Sequence, residues 1–253
     1  MVRYGLIGYP LGHSYSRAHF TRKFREEGLD SFEYLNYEIS SIDQVTAIIR
    51  EQEDLAGFNV TIPYKTAVLP ILDRLDETAQ RIGAVNTVTI RRPGGKPYLT
   101  GYNTDIIGFK KSLLRMNPLR PIRALLFGTG GSSLAVARAL EELEIPYLRV
   151  SRTIKEGCLT YRDINPSRAS SHHLWINCTP VGMYPESAAC LPLPYSRLTP
   201  GHFLYDLVYN PEITLFLQKG KDAGATVMNG KEMLFEQAEA SWEIWMRERN
   251  QTI

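Results

Sequence analysis

The period of the apolar residues changes several times along the chain. Residues 3–7, 32–39, 56–61, 84–91 and 98–103 are short runs of apolar and β-branched residues that predict strands. Residues 16–27 and 42–53 carry apolar positions at helical spacing, and Pro63 stands where a further helix could begin. The PGGK turn at 93–96 ends one strand, and a helix is expected over 105–116 before NPLRP breaks the pattern. A new βαβ unit follows: a strand at 123–127, the loop GTGGSS at 128–133, a helix over 134–143 and a strand at 147–150. Further strands are expected at 174–178 and 203–208, and a helix at 212–223. The stretch between Thr153 and His173 has little room for a full crossover helix and predicts a short irregular connection. An amphipathic helix over 231–249 follows the turn at Asn229 and Gly230. The fold class is α/β, with no internal repeat and no low-complexity tract.

Composition narrows the function classes. At 253 residues with 43% hydrophobic and 22% charged residues, the chain has the composition of an ordinary globular protein of one large or two modest domains. A net charge of +2 supplies no field suited to nucleic acid. Cys158, Cys178 and Cys190 lack metal-ligand spacing and a pairing framework, and read as packing residues in a reducing compartment. The N-terminus lacks a signal-peptide pattern and no run is long enough to span a bilayer, so a cytoplasmic protein is expected. No metal cluster is evident, and His172 and His173 read as solvent-facing.

The loop GTGGSS lies between an apolar strand and a helix. There, glycines let backbone N–H groups approach a pyrophosphate while the helix N-terminus adds favourable partial charge. Gly128, Gly130 and Gly131 depart from the strict G-x-G-x-x-G spacing, so the motif alone also fits an ordinary tight turn; its βαβ context favours dinucleotide binding. Enzymes that prefer NAD place a carboxylate at the end of the next strand. Here the sequence is VSRTIK, where Ser151, Arg152 and Lys155 offer a hydroxyl and two cations to a phosphate. Charge-assisted bonds of about 1.5–3 kcal/mol each correspond to roughly a tenfold to hundredfold preference. NADP is therefore the expected cofactor, the alternative being that Arg152 merely covers a solvated strand end.

Four polar loops in the first half, GYPLGHSYS, NVTIPYK, GAVNT and GYNTD, lie at the ends of expected strands, where an open sheet gathers ligand-binding groups. With GTGGSS, SRT, NCTPVGM, DLVYNPEIT and GKEMLFEQA they follow in an order that resembles the shikimate dehydrogenase family over nearly the whole chain. The resemblance implies reversible NADPH-dependent reduction of 3-dehydroshikimate to shikimate. It also implies an N-terminal α/β substrate domain (1–102) completed by C-terminal helices (231–253), with a Rossmann-like NADP-binding domain (103–230) hinged to it.

On these positions the family pattern places the substrate carboxylate at Ser14 and Ser16, though Ser16 also reads as an N-cap. Thr61, Asn86, Asp105 and Gln237 would hold the ring hydroxyls, with Lys65 completing the set and Lys65 and Asp105 forming the catalytic pair. Desolvation lowers a lysine pKa and a nearby carboxylate raises it, so the resting state of Lys65 stays open. Tyr209 is a substrate-side donor or a packed core tyrosine. The cofactor would be held by Gly128, Thr129, Gly130, Gly131, Ser132, Ser151, Arg152, Thr153, Asn177, Thr179, Met183, Val208 and Gly230, although Met183 also reads as a packing residue. His13 shapes its loop, with no proton-transfer role carried over.

The chain departs from the family pattern at Arg17, where proline is common, at Phe20, where asparagine is usual, and at Ser151, where asparagine is common. The 153–173 stretch is also short for the family. A small-molecule substrate and a monomer or homodimer are expected. The rivals are a quinate or dual-specificity dehydrogenase and a non-catalytic NADP-binding sensor.

Overall fold

The computed structural model describes residues 1–12, 15–118 and 121–250. The chain divides into two compact units, Met1–Thr104 with Ala238–Ile253, and Asp105–Gln237.

The first unit contains β1 (Val2–Gly8), α1 (Tyr15–Glu26), β2 (Phe32–Glu38), α2 (Gln44–Glu51), β3 (Leu55–Val60), β4 (Arg74–Leu75), α3 (Glu77–Ile82), β5 (Thr87–Arg91) and β6 (Tyr98–Tyr102). Its sheet runs in the order β2-β1-β3-β5-β6-β4. β5 is antiparallel to both neighbours, with Thr87 opposite Asn59 on one side and Tyr102 on the other. The end of β3, the start of β5 and the end of β6 therefore share one edge.

Two local outcomes differ from the sequence pattern. No α-helix grows from Pro63: one i→i−4 bond, from Val68 N–H to the Tyr64 carbonyl (2.9 Å), precedes a 3-10 turn over Leu69–Ile71. Pro70 removes a donor and bars continuation, and the Lys65 carbonyl instead accepts from Val85 N–H at 2.8 Å. α3 is an element that the apolar pattern does not single out, because it is too short to show a period. Its punctuation was nonetheless present: Asp76 caps the Thr78 and Ala79 N–H groups, and Gly83 ends the helix in the left-handed region at φ 71°.

Phe20 is fully buried in an aromatic cluster, stacked on Tyr34 with centroids 4.6 Å apart and 5.5 Å from Trp245. Trp245 stacks on Tyr4 (4.4 Å) and donates Nε1–H to the Val88 carbonyl (3.0 Å). The departure at Phe20 thus supplies a large ring to the core that joins α1, the sheet and residues 238–250. Gly57 is what lets the indole lie on the sheet, since a Cβ there would sit 2.6 Å from both Trp245 Nε1 and the Val88 oxygen.

The second unit contains α4 (Asp105–Met116), β7 (Ala124–Phe127), α5 (Gly131–Glu142), β8 (Tyr147–Ser151), β9 (Leu159–Thr160), α6 (Pro166–Ser171), β10 (Leu174–Asn177), β11 (Phe203–Asp206), α7 (Leu215–Asp222) and β12 (Thr226–Met228). It also includes the first turns of α8 (Lys231–Asn250). Its sheet is wholly parallel, in the order β12-β11-β10-β7-β8-β9. The order reverses between β7 and β10, which is the doubly wound Rossmann arrangement with its ligand crevice at the carboxyl ends of those strands. β7, β10 and β11 are buried throughout, as strands covered on both faces must be.

α5 begins at Gly131, three residues earlier than the apolar period indicates, and α7 begins at Leu215 because Thr214 caps it. The 153–173 connection contains the two-residue β9 and the six-residue α6. Asn165 caps α6 by accepting from Arg168 N–H (2.9 Å), and Pro166 occupies its first position. The short β12 also escaped the sequence pattern.

Gly57→Ala is expected to lower stability by about 1–3 kcal/mol through overpacking against Trp245. A urea midpoint unchanged from that of the wild type would show that the indole is not seated by this glycine.

Candidate active site

The sheet edge of the first unit is stitched together by main-chain bonds. Thr61 N–H donates to the Ile7 carbonyl (2.9 Å), Val60 N–H to Asn86 (2.8 Å) and Asn86 N–H to Tyr102 (3.1 Å). GAVNT reaches this edge from the opposite sense to its neighbours: the antiparallel β5 presents its start, where β1, β3 and β6 present their ends. Half-buried Thr61 and Lys65 and buried Asn86 are gathered here.

Beneath the edge lies a buried polar network. The Asn86 side chain accepts from Thr104 N–H (2.7 Å) and donates to Thr104 Oγ1 (2.8 Å). Asn59 Nδ2 reaches the Asn86 carbonyl (3.1 Å), Thr87 Oγ1 (3.2 Å) and Ser241 Oγ (3.0 Å). Ser241 in turn meets Thr87 Oγ1 (2.8 Å) and Thr104 Oγ1 (3.1 Å). Asn59 Oδ1 accepts from the Tyr34 hydroxyl (2.8 Å), to which Ser16 is hydrogen-bonded; burial pushes the Tyr34 pKa up. Ser16 lies in the first turn of α1 rather than at its cap, so the capping alternative falls away. Ser14 and His13 lie outside the described residues.

In the second unit, Asp105 is the first residue of α4 and is buried. The same face carries Gly108, where a Cβ would lie 2.5 Å from the Met233 carbonyl oxygen and 3.1 Å from Gln237 Cβ. The absent side chain thus brings buried Gln237 of α8 to the face that bears Asp105. Gln237 Nε2 donates to the Leu234 carbonyl (2.8 Å), and Lys111 and Arg115 each reach Glu236 at 2.7 Å.

The reversal of strand order gathers the remaining candidates. Gly128, at φ +115°, donates to the Val150 carbonyl (2.9 Å), and a Cβ on it would meet the Cys178 backbone at 3.2 Å. Gly130 caps α5 without a side chain, and a Cβ there would meet nothing within 4 Å. Thr129, Gly131 and Ser132 are half-buried around this turn. Extra space beside N–H groups at a helix N-terminus fits a pyrophosphate. Ser151 is buried and accepts from Thr153 N–H at 3.3 Å, whereas Arg152, Thr153 and Lys155 are exposed. Burial pushes the Tyr161 phenol up to about 12, opposed by the field of Arg152, and its ring stacks on Phe127 at 6.0 Å.

Across the reversal, buried Asn177 accepts from Thr179 N–H (2.9 Å) and Thr179 Oγ1 (2.6 Å). Gly230 donates to the Val208 carbonyl (3.2 Å) and packs so closely on Leu207 that no side chain fits. Tyr209 is half-buried, and Met183, 42% exposed, is not a core packing residue. One buried group here was not singled out from the sequence: Asp206, whose burial pushes its carboxyl up to about 7 against the opposing effect of its hydrogen-bond donors. Its signal was an acid ending an otherwise apolar strand. The three cysteines are half-buried and form no disulfide among the described residues. Among the described residues no cluster of three or more His, Cys, Asp or Glu could hold a metal ion, and no helix is long and apolar enough to cross a membrane.

Residues 6–88 match the family model described as the shikimate dehydrogenase substrate binding domain. A protein of Desulforamulus reducens named shikimate dehydrogenase (NADP(+)) is 37% identical over 95% of this chain and 88% of its own length. One of the same name from Shouchella clausii is 36% identical over 96% and 92%. The solved structure of shikimate 5-dehydrogenase from Thermus thermophilus in complex with NADP(H) and shikimate aligns with a TM-score of 0.84 at 31% identity. The alignment covers 97% of this chain and 93% of the Thermus chain.

Gly130→Ala is expected to fold with a stability loss of at most about 1 kcal/mol, because its backbone and surroundings accept a methyl group. It should nevertheless weaken dinucleotide binding by about tenfold by filling the phosphate space. Calorimetric affinity equal to that of the wild type would remove the pyrophosphate from this turn.

Proposed function

The chain belongs to the shikimate dehydrogenase family, and we propose on that footing that it catalyses the reversible NADPH-dependent reduction of 3-dehydroshikimate to shikimate, a step towards chorismate and the aromatic amino acids. The observation that carries the proposal is the match, over nearly all of both chains, to a Thermus enzyme solved with NADP(H) and shikimate.

The substrate is assigned to residues 1–102 together with 231–253, and the dinucleotide to residues 103–230. When bound, NADPH supplies the hydride. The pyrophosphate would be held by Gly128, Thr129, Gly130, Gly131 and Ser132, and the 2′-phosphate by Ser151, Arg152 and Thr153. Exposed Arg152 beside buried Ser151 suits a solvated phosphate anchored at one end. Asn177, Thr179, Met183, Val208 and Gly230 would line the nicotinamide side.

For the substrate, Ser14 and Ser16 take the carboxylate, while Thr61, Asn86, Gln237 and Tyr209 take the hydroxyls. A site that bonds several hydroxyls discriminates strongly against analogues lacking them, because its own buried groups would be left unpaired. Lys65 Nζ gives its proton to the C3 oxygen as alkoxide character develops there, and Asp105 orients the neighbouring hydroxyl. In the oxidation direction Lys65 takes the same proton back. The same reading makes the protein cytoplasmic and its assembly a monomer or homodimer.

The direct test mixes the protein with shikimate or quinate and NADP or NAD, following nicotinamide absorbance; absence of turnover with every pair would favour a dinucleotide-binding sensor. Lys65→Ala and Asp105→Asn should each lower kcat by about 10²–10⁴ with NADP affinity unchanged, and a kcat within a few-fold of wild type would end the role assigned to that residue. Arg152→Ala should reduce the preference for NADP over NAD by about tenfold to hundredfold; an unaltered ratio of kcat/KM values would mean the 2′-phosphate is read elsewhere.

A further inference from the structure

Asp206 ends β11 and is fully buried, and none of the roles assigned above uses it. Its carboxylate is the meeting point of three segments. Oδ1 accepts from Asn177 Nδ2 (2.9 Å) and Val208 N–H (3.0 Å), and Oδ2 accepts from Thr214 Oγ1 (2.6 Å). Asn177 is thereby oriented with its own oxygen towards Thr179 N–H and Oγ1, and its amide also reaches the Val181 carbonyl at 3.3 Å. Val208 is fixed at its N–H by Asp206 and at its carbonyl by Gly230. Thr214, pinned by Oδ2, caps α7 and lies 3.3 Å from where a Cβ on Gly182 would be, beside Met183.

We propose that Asp206 is the positioning residue of the cofactor site: a single buried acceptor that sets the NCTPVGM and DLV segments in the geometry that receives the nicotinamide half of NADP. The inference rests on the dinucleotide assignment made above. Two oxygens on one rigid side chain can receive donors from β10, from the segment after β11 and from the cap of α7 at once. A shorter or apolar side chain leaves buried donors without a partner. Asp206 itself touches no ligand in this scheme and acts through Asn177 and Val208.

The roles of the two oxygens distinguish positioning from charge. Asparagine at this position keeps Oδ1 for Asn177 and Val208, and its amide can donate to the Thr214 hydroxyl, which is able to accept. Asp206→Asn should therefore keep the NADP Kd within about threefold of wild type, whereas Asp206→Ala should raise it by about tenfold or more. The Kd for shikimate, measured alone, should stay within about twofold in both. Should Asp206→Ala fail to fold, Thr214→Val leaves both Oδ1 bonds in place while removing the Oδ2 donor together with the α7 cap, and should raise the NADP Kd by about threefold to tenfold. Wild-type NADP affinity in Asp206→Ala or in Thr214→Val, an Asn variant as defective as the Ala variant, or equal losses for both ligands would overturn the proposal. Turnover of shikimate with NADP by the wild type is the control: its absence would sink the dinucleotide assignment itself, and its presence with unaffected variants would sink only the role of Asp206.

Discussion

The hydrogen bonds that Asn59 and Ser241 make beneath the first sheet edge are the constraint from which the order of that edge follows. A buried amide or hydroxyl without a partner costs about 1–3 kcal/mol, so groups packed together at a strand end must satisfy one another or not be buried. Here Asn59, Thr87, Thr104 and Ser241 meet that requirement with one another and with Tyr34 and Asn86, and Asn86 is locked by both its oxygen and its nitrogen onto Thr104. Asn86 thereby arrives at the edge in one orientation.

The second unit solves a related problem at the reversal of its strand order. Chains must approach one another closely there, and glycine at 128 and 230 makes the approach possible: a Cβ at 128 would press on the Cys178 backbone, and one at 230 on Leu207. At 130 the reason is different, since the space beside that glycine is open. Two glycines are thus explained by packing, and the third borders open space, although in the sequence they look alike. Asp206 plays the part that Asn59 and Ser241 play in the first unit, with one carboxylate taking the place of a network.

Much of this was legible in the residues. The alternation of strands and helices, the strand-loop-helix at GTGGSS and the missing acid at VSRTIK all depend on neighbours a few positions apart. Short elements were harder to see: α3, α6 and β12 are too brief for a period to emerge, although Asp76 with Gly83, and Asn165 with Pro166, mark the ends of two of them. The helix expected after Pro63 shows the converse, because Pro70 stops it before it completes more than a turn.

By itself the sequence determined the α/β class, the order of the motifs, the glycine turn and the cationic end of β8. Each of these is set by local periodicity or by the chemistry of a single turn. Only the tertiary structure decided that β5 runs against its neighbours and so delivers Asn86 to the common edge, that Ser16 sits inside its helix rather than capping it, and that Asp206 joins Asn177 to Thr214. Ser241 meets Thr87 across 154 residues and Asn177 meets Asp206 across 29. Pairings at such separations depend on where the chain returns, and that is decided by which packing leaves no buried polar group alone.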